Sequence, residues 1–159
     1  MYHCVDNHSN TVTLEHRYAV ISGEKHFTLL PPSDVFGLYE RDFPSYQYAN
    51  VKSREDYEIV SCDFSTSWIP VDPKKPDLKR FPLYAHASPV ECIVRPGEML
   101  YLPAMWYHRV AQKDFTIAVN YWYDMHFGHS YVYHHFVKDF MEEAAAAAAI
   151  HSSGDSKDE

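Results

Sequence analysis

Proline placement restricts this chain more than any other feature. From Pro31 to about Ser88 the segments PPSD, FPSY, WIPVDPKKPD and FPLY follow one another. A proline lacks a backbone N–H and has a fixed φ, so this density excludes a helix interior and a central strand across most of the stretch. The stretch is expected to be surface loop, with one short strand over 57–61. A loop that long in a compact domain is either functional or conceals an element of its own.

The flanks read as β structure. RYAVIS (17–22) and KHFTLL (25–30) are two short runs separated by Gly23-Glu24, which predicts a tight hairpin. VECIVR (90–95) is expected to turn at Pro96-Gly97 into MLYLP (99–103). WYHRVA (106–111) and FTIAVNYWY (115–123) complete the strands. From Tyr131 to about Ile150 the spacing of Tyr133, Phe136, Val137, Phe140 and Met141 predicts an amphipathic helix. Its alanine-rich end has high helix propensity and little apolar mass to bury, so an extension into solvent is expected. The order of strands followed by one terminal helix points to an antiparallel sandwich or barrel.

Composition narrows the function classes. With 159 residues, 46% hydrophobic and 23% charged, the chain reads as one globular domain rather than a disordered one. A net charge of −8 argues against a nucleic-acid partner, because phosphate binding needs clustered Lys and Arg. No run approaches 18 apolar residues, so no membrane span is expected. MYHCVDNHSN has neither a basic n-region nor an apolar h-region, so no signal peptide is expected. Cys4, Cys62 and Cys92 form neither a disulfide framework nor a CxxC metal pair, which fits a reducing, cytoplasmic or nuclear setting.

Three residues stand out chemically. Lys25 shares a strand face with Phe27 and Leu29, an expensive place for a cation unless it meets an anion. The alternative is a strand-end Lys that snorkels to water or pairs locally. His108 follows the spacing Gly97-x5-Pro103-x4-His108. There it is either a metal ligand or a hydrogen-bonded core histidine beside Trp106 and Tyr107. Asn120 sits in the most apolar strand, on the face of Ala118 and Trp122, and its amide needs partners from structure or from a ligand. No HExxH or nucleophile motif accompanies them, so nothing in the residues supports a peptidase.

The segments YAVISGEKHF (18–27), WIPVDPKKPDLKRFPLY (68–84), RPGEMLYLPAMWYHRV (95–110) and IAVNYWYDM (117–125) resemble the JmjC-domain oxygenases of the cupin superfamily. The resemblance covers about residues 16–140 and is nearest to the lysyl-hydroxylase branch, with features of the asparaginyl-hydroxylase branch. It implies a mainly β fold, a partial double-stranded β-helix (jelly roll, cupin-like) with a C-terminal α-helix. The organisation implied is a divergent segment over 1–15, an incomplete JmjC domain over 16–128, the helix over 129–150 and a disordered tail over 151–159.

The activity implied is Fe(II)- and 2-oxoglutarate-dependent hydroxylation of a lysine on a protein substrate, of which cytosolic GTP-binding proteins are the suggested class. A homodimer is a further expected partner, suggested by the amphipathic helix and the missing ligand pair. The resemblance makes His108 the distal metal ligand and Lys25 the partner of a 2-oxoglutarate carboxylate. Asn120 and Tyr18 then line the cosubstrate site. The positions that should hold the family's His-x-Asp metal pair are Asn10 and Val12. Neither side chain replaces an imidazole or a carboxylate, and His8, in His8-Ser9-Asn10, is the alternative ligand. The expectation is therefore a shortened or divergent family member impaired in metal binding, with a non-catalytic, protein-binding or dimerising chain as the alternative.

Overall fold

A computed structural model describes residues 14–50 and 57–154. Strands dominate. They are β1 (Leu14–Leu30), β2 (Arg41–Asn50), β3 (Tyr57–Trp68), β4 (Val90–Val94), β5 (Met99–Leu102) and β6 (Tyr107–Asp124), followed by the helix α1 (His129–Gly154). Short 3-10 turns at Pro32–Gly37 and Pro82–His86 begin on prolines, whose fixed φ suits a first turn. The chain is mainly β with antiparallel pairing and one C-terminal helix, as expected of a jelly roll. The helix runs to Gly154, past the expected end near Ile150. No helix among the described residues is long and apolar enough to cross a membrane.

The expected hairpin at Gly23-Glu24 does not form. β1 is one long strand, and β6 pairs with it antiparallel from Leu14↔Asp124 to Leu30↔Tyr107. The register slips between Val20 and Glu24, where Gly23 takes φ 75°. The slip has a purpose visible in the side-chain alternation. Val20 and Phe27 both enter the same apolar cluster although they lie an odd number of residues apart. One extra residue at a bulge restores the parity, so both halves of β1 bury the same face.

Pro96-Gly97 does form the expected turn, with Glu98 N–H donating to the Arg95 carbonyl at 2.9 Å, but it does not pair β4 with β5. β4 pairs with Lys25–Leu29 and β5 with His16–Ala19, both antiparallel and on the same edge of β1. Between them Gly97 N–H donates to the Val20 carbonyl, and Val20 N–H donates to the Glu98 carbonyl. The two strands read separately at 106–111 and 115–123 are likewise one strand, β6, passing through Asp114 at φ 59°. Gly23, Gly97 (φ 85°) and Asp114 therefore make a line of left-handed residues across the sheet. They form a corner, and the two halves of the sheet meet across it. Tyr18 on one half contacts Phe27 on the other, ring centroids 5.1 Å apart.

Between the halves lies an apolar cluster of Tyr18, Val20, Phe27, Leu29, Val94 and Leu102. A second cluster uses the opposite face at the far end of β1 and the near end of β6. There Leu30 and Tyr107 pack with Val35, Leu38, Val71, Phe81 and Tyr84 from the proline-rich segment. That segment also holds an element the sequence hid. β2 and β3 form a separate two-stranded ribbon, so the strand expected over 57–61 is longer and has a partner. Pro44 is tolerated in β2 because a two-stranded ribbon has free edges, and the register slips just after it.

The helix departs from its expected orientation. His134 is buried and Val137 packs on the second cluster, whereas Tyr133, Phe136 and Phe140 are 69%, 64% and 59% exposed. The inward face is thus His134, Val137, Lys138 and Met141, a stripe at helical spacing.

Candidate functional site

Strand alternation and the corner together assemble the site. On β1 the period of two puts His16 and Tyr18 on one face, and the bulge returns Lys25 to that face. Asn120 is the cross-strand neighbour of Tyr18, and Trp122 that of His16. His108 belongs to the other half of the sheet, opposite Leu29. The corner nevertheless brings its ring centroid to 5.6 Å from that of His16 and 6.3 Å from that of Tyr18.

The contacts are polar and aromatic at once. The Tyr18 hydroxyl lies 3.3 Å from His16 Nδ1 and 3.5 Å from His108 Nε2. His16 stacks on Tyr18 and leans on Trp122, with centroids 5.7 Å and 4.9 Å away. His108 Nδ1 faces the Trp106 carbonyl at 3.5 Å. A carbonyl only accepts, so that contact puts the proton on Nδ1 and leaves a lone pair on Nε2, toward Tyr18. Burial holds the His108 pKa below its ordinary 6.5, against the Trp106 carbonyl, which works to raise it. The imidazole is therefore neutral near pH 7.

Lys25 Nζ stands over the Tyr18 ring, 5.6 Å from its centroid. Of the two simpler alternatives for Lys25, a local ion pair is not seen, since among the described residues no carboxylate pairs with it; its half-buried position leaves the snorkelling alternative open. Lys25 is half-buried, and the Tyr18 face is the contact seen for its ammonium group. Among the described residues the buried Asn120 Oδ1 has no hydrogen-bond partner.

All four residues singled out from the sequence and described here, Lys25, Tyr18, His108 and Asn120, line the inner face of the folded sheet. His8, Asn10 and Val12 lie outside the described residues. His16 and Trp122 were missed as site residues. The signal was present for His16, which is two residues before Tyr18 on an alternating strand, but nothing in the sequence shows the corner that carries it to His108.

The donors suit a carboxylate ligand better than they suit the family's iron. Lys25 offers charge, while Tyr18 and the Asn120 amide N–H offer hydrogen bonds, as a 2-oxoglutarate carboxylate requires. For the metal, no group of three His, Cys, Asp or Glu side chains converges among the described residues. Among the described residues, the remaining members of a two-His-one-carboxylate set are not found beside His108.

Comparison with known proteins agrees with this fold. Residues 6–129 match the family model described as a cupin-like domain. The human bifunctional peptidase and (3S)-lysyl hydroxylase JMJD7 is 46% identical over 121 residues, 75% of this chain and 38% of the relative. The lysine-specific demethylase JMJ32 of Arabidopsis thaliana is 38% identical over 157 residues, 91% of this chain and 46% of the relative. The JmjC domain-containing protein E of Dictyostelium discoideum is 40% identical over 144 residues, 79% of this chain and 41% of the relative. The chain spans less than half the length of each of these relatives.

Proposed function

The chain belongs to the cupin-like family of JmjC-domain proteins, and from that premise we propose that it is a 2-oxoglutarate-binding relative of the protein lysyl hydroxylases. In this reading the chain holds the cosubstrate but does not complete the family's iron centre. The observation that carries it is Lys25. It is a cation placed over Tyr18 with no carboxylate partner among the described residues.

Lys25 would bind one carboxylate of 2-oxoglutarate, the Tyr18 hydroxyl and Asn120 amide would orient it, and the surrounding aromatic rings would exclude water. The substrate proposed is a lysine on a protein, with a cytosolic GTP-binding protein as the candidate class and a cytoplasmic or nuclear location. The sequence at Asn10 and Val12, where the family carries its His-x-Asp pair, is why turnover is proposed to be impaired.

Calorimetry with 2-oxoglutarate and purified chain tests the binding. Lys25→Ala should weaken the affinity roughly 10- to 100-fold, the worth of one hydrogen bond to a charged group. An unchanged affinity would sink the cosubstrate assignment. Succinate release in the presence of Fe(II) tests the impairment. It should be no greater than that of a His108→Ala control, and release above that control would show a competent enzyme.

A second reading is favoured by the helix. Val132, Tyr133, Phe136 and Phe140 on α1 are all more than half exposed. An aromatic surface of that kind marks a protein contact, and a second copy of this chain is the occupant proposed. Light scattering of the chain alone should show a dimer, and a monomer at every concentration would remove this reading.

A further inference from the structure

The β2–β3 ribbon is a sheet of its own, and strand alternation gives it two unlike faces. Phe43 and Ser45 on β2, with Val60 and Cys62 on β3, are half-buried. Asp42, Tyr46 and Tyr48 on β2, with Ile59 and Asp63 on β3, are exposed. The slip in register does not mix the two sets. Between Pro44↔Ser65 and Tyr46↔Ser61 one strand advances two residues and the other four, both even, so each strand keeps its faces.

We propose that the outward face of this ribbon docks an extended, basic peptide segment of a partner protein. Tyr46, Tyr48 and Ile59 would form its apolar floor, and Asp42 and Asp63 would select Lys or Arg side chains. The ribbon is a different sheet from the one that carries Lys25, Tyr18 and His108. The proposal therefore goes beyond the cosubstrate reading and does not rest on it.

Exposure marks the surface. Tyr46, Tyr48 and Ile59 are 63%, 74% and 67% exposed. Tyr48 and Ile59 are direct cross-strand partners, and Tyr46 follows on the same face, so the three side chains form one strip. A contiguous apolar strip of this kind marks a contact with another chain. A two-stranded ribbon is also marginal in water on its own, and a covering segment would add the packing it lacks. An extended segment fits best, because its alternate side chains repeat at the same interval as Tyr46 and Tyr48.

Charge selects the occupant. Among the described residues no cation pairs with Asp42 or Asp63. Tyrosine rings beside carboxylates are the combination that takes a Lys or Arg. The ring face attracts the cation, the alkyl stem lies on the apolar floor, and the carboxylate accepts the hydrogen bonds. A second copy of the ribbon would set its own Asp42 and Asp63 against these, in a chain of net charge −8. A phosphate-bearing partner is repelled for the same reason.

The test is fluorescence anisotropy of a labelled decapeptide that alternates Lys and Thr, titrated with the full chain. No 2-oxoglutarate or Fe(II) is present, so failure here leaves the cosubstrate reading untouched. Saturable one-to-one binding is expected, and none by the same peptide with Glu in place of Lys. Asp42→Asn combined with Asp63→Asn should weaken binding roughly 5- to 30-fold, the range for two exposed ion pairs. Tyr46→Ser combined with Tyr48→Ser should weaken it by a similar factor. Asp139→Asn with Glu143→Gln removes equal charge from exposed positions of α1 and should change affinity less than about 2-fold.

Should the tyrosine pair fail to fold, amide resonances of the unaltered chain take its place, and those of residues 46, 48 and 59 must shift on addition of the Lys peptide. Shifts confined to other residues, equal losses in the ribbon and helix variants, or no binding at all would each overturn the proposal. So would a dimer that Tyr46→Ser with Tyr48→Ser abolishes, since that would assign the face to a second copy.

Discussion

Single residues set the local geometry here through φ and through side-chain charge. Gly23 is the clearest case. Its φ of 75° lies where only glycine is unstrained, and an added Cβ would stand 2.7 Å from the Phe115 carbonyl oxygen. Gly23→Ala should therefore cost about 1–3 kcal/mol in urea unfolding, since both the conformation and the space oppose it. Gly97, with φ 85° and nothing within 4 Å of an added Cβ, carries only the conformational part. Gly97→Ala should cost less, and equal losses at the two sites would show that the contact with Phe115 is unimportant. Lys25 belongs to the same scale. Its position on the face of Phe27 and Leu29 was legible from the alternation on KHFTLL.

Elements are joined by one polar network that no sequence motif announces. Glu40, just before β2, accepts hydrogen bonds from Ser67 at 2.6 Å and Tyr107 at 2.8 Å, and its carboxylate meets Lys138 of α1 at 3.0 Å. Burial alone would raise the Glu40 pKa, but Ser67, Lys138 and Tyr107 together hold it below its ordinary 4.5. His134, one turn before Lys138 and 3.5 Å from the Tyr107 hydroxyl, is lowered from 6.5 by burial and by neighbouring His135 and Lys138, while Glu40 pulls it up.

The two shifts act in the same direction. The unfolded chain takes up a proton at each group before the folded chain does, so folding weakens as pH falls. The His134 share is lost as pH drops below about 6.5, through its depressed folded value. The Glu40 share follows as pH drops below about 4.5. Thermal unfolding between about pH 7 and about pH 5 should thus fall in midpoint, and His134→Gln should flatten that part of the curve. An equally steep curve in the variant would place the acid sensitivity elsewhere.

At the scale of the whole molecule the apolar surface is divided unevenly. Inner faces of the folded sheet and the second cluster are filled, whereas Met99, Tyr101, Ile117, Tyr121 and Tyr123 on the outer sheet face are 45–60% exposed. So is the aromatic stripe of α1. If a second copy covers the helix, Phe136→Ser combined with Phe140→Ser should convert a dimer to a monomer in light scattering, with unfolding little changed because neither ring is buried. A dimer that persists in the double variant would place the contact on the outer sheet or elsewhere.

Much of this molecule was written in local pattern. Period-two alternation identified most of β1, β4, β5 and β6, helical spacing identified α1, and the alternation also put Lys25 and Asn120 on the faces where the structure has them. What local pattern could not decide was whether the strands on either side of a glycine or proline pair with each other. Gly23-Glu24 and Pro96-Gly97 have turn-forming residues in either case. Long-range pairing with β6 and β1 decides that they do not, because one continuous partner offers hydrogen bonds to both halves. The β2–β3 ribbon was hidden for a related reason, since its one proline, Pro44, is forbidden only in a central strand. The meeting of His16 with His108 came last of all, from the folding of one sheet across its corner. By itself the sequence determined which residues face inward along each strand; only the tertiary structure decided which inward faces oppose one another.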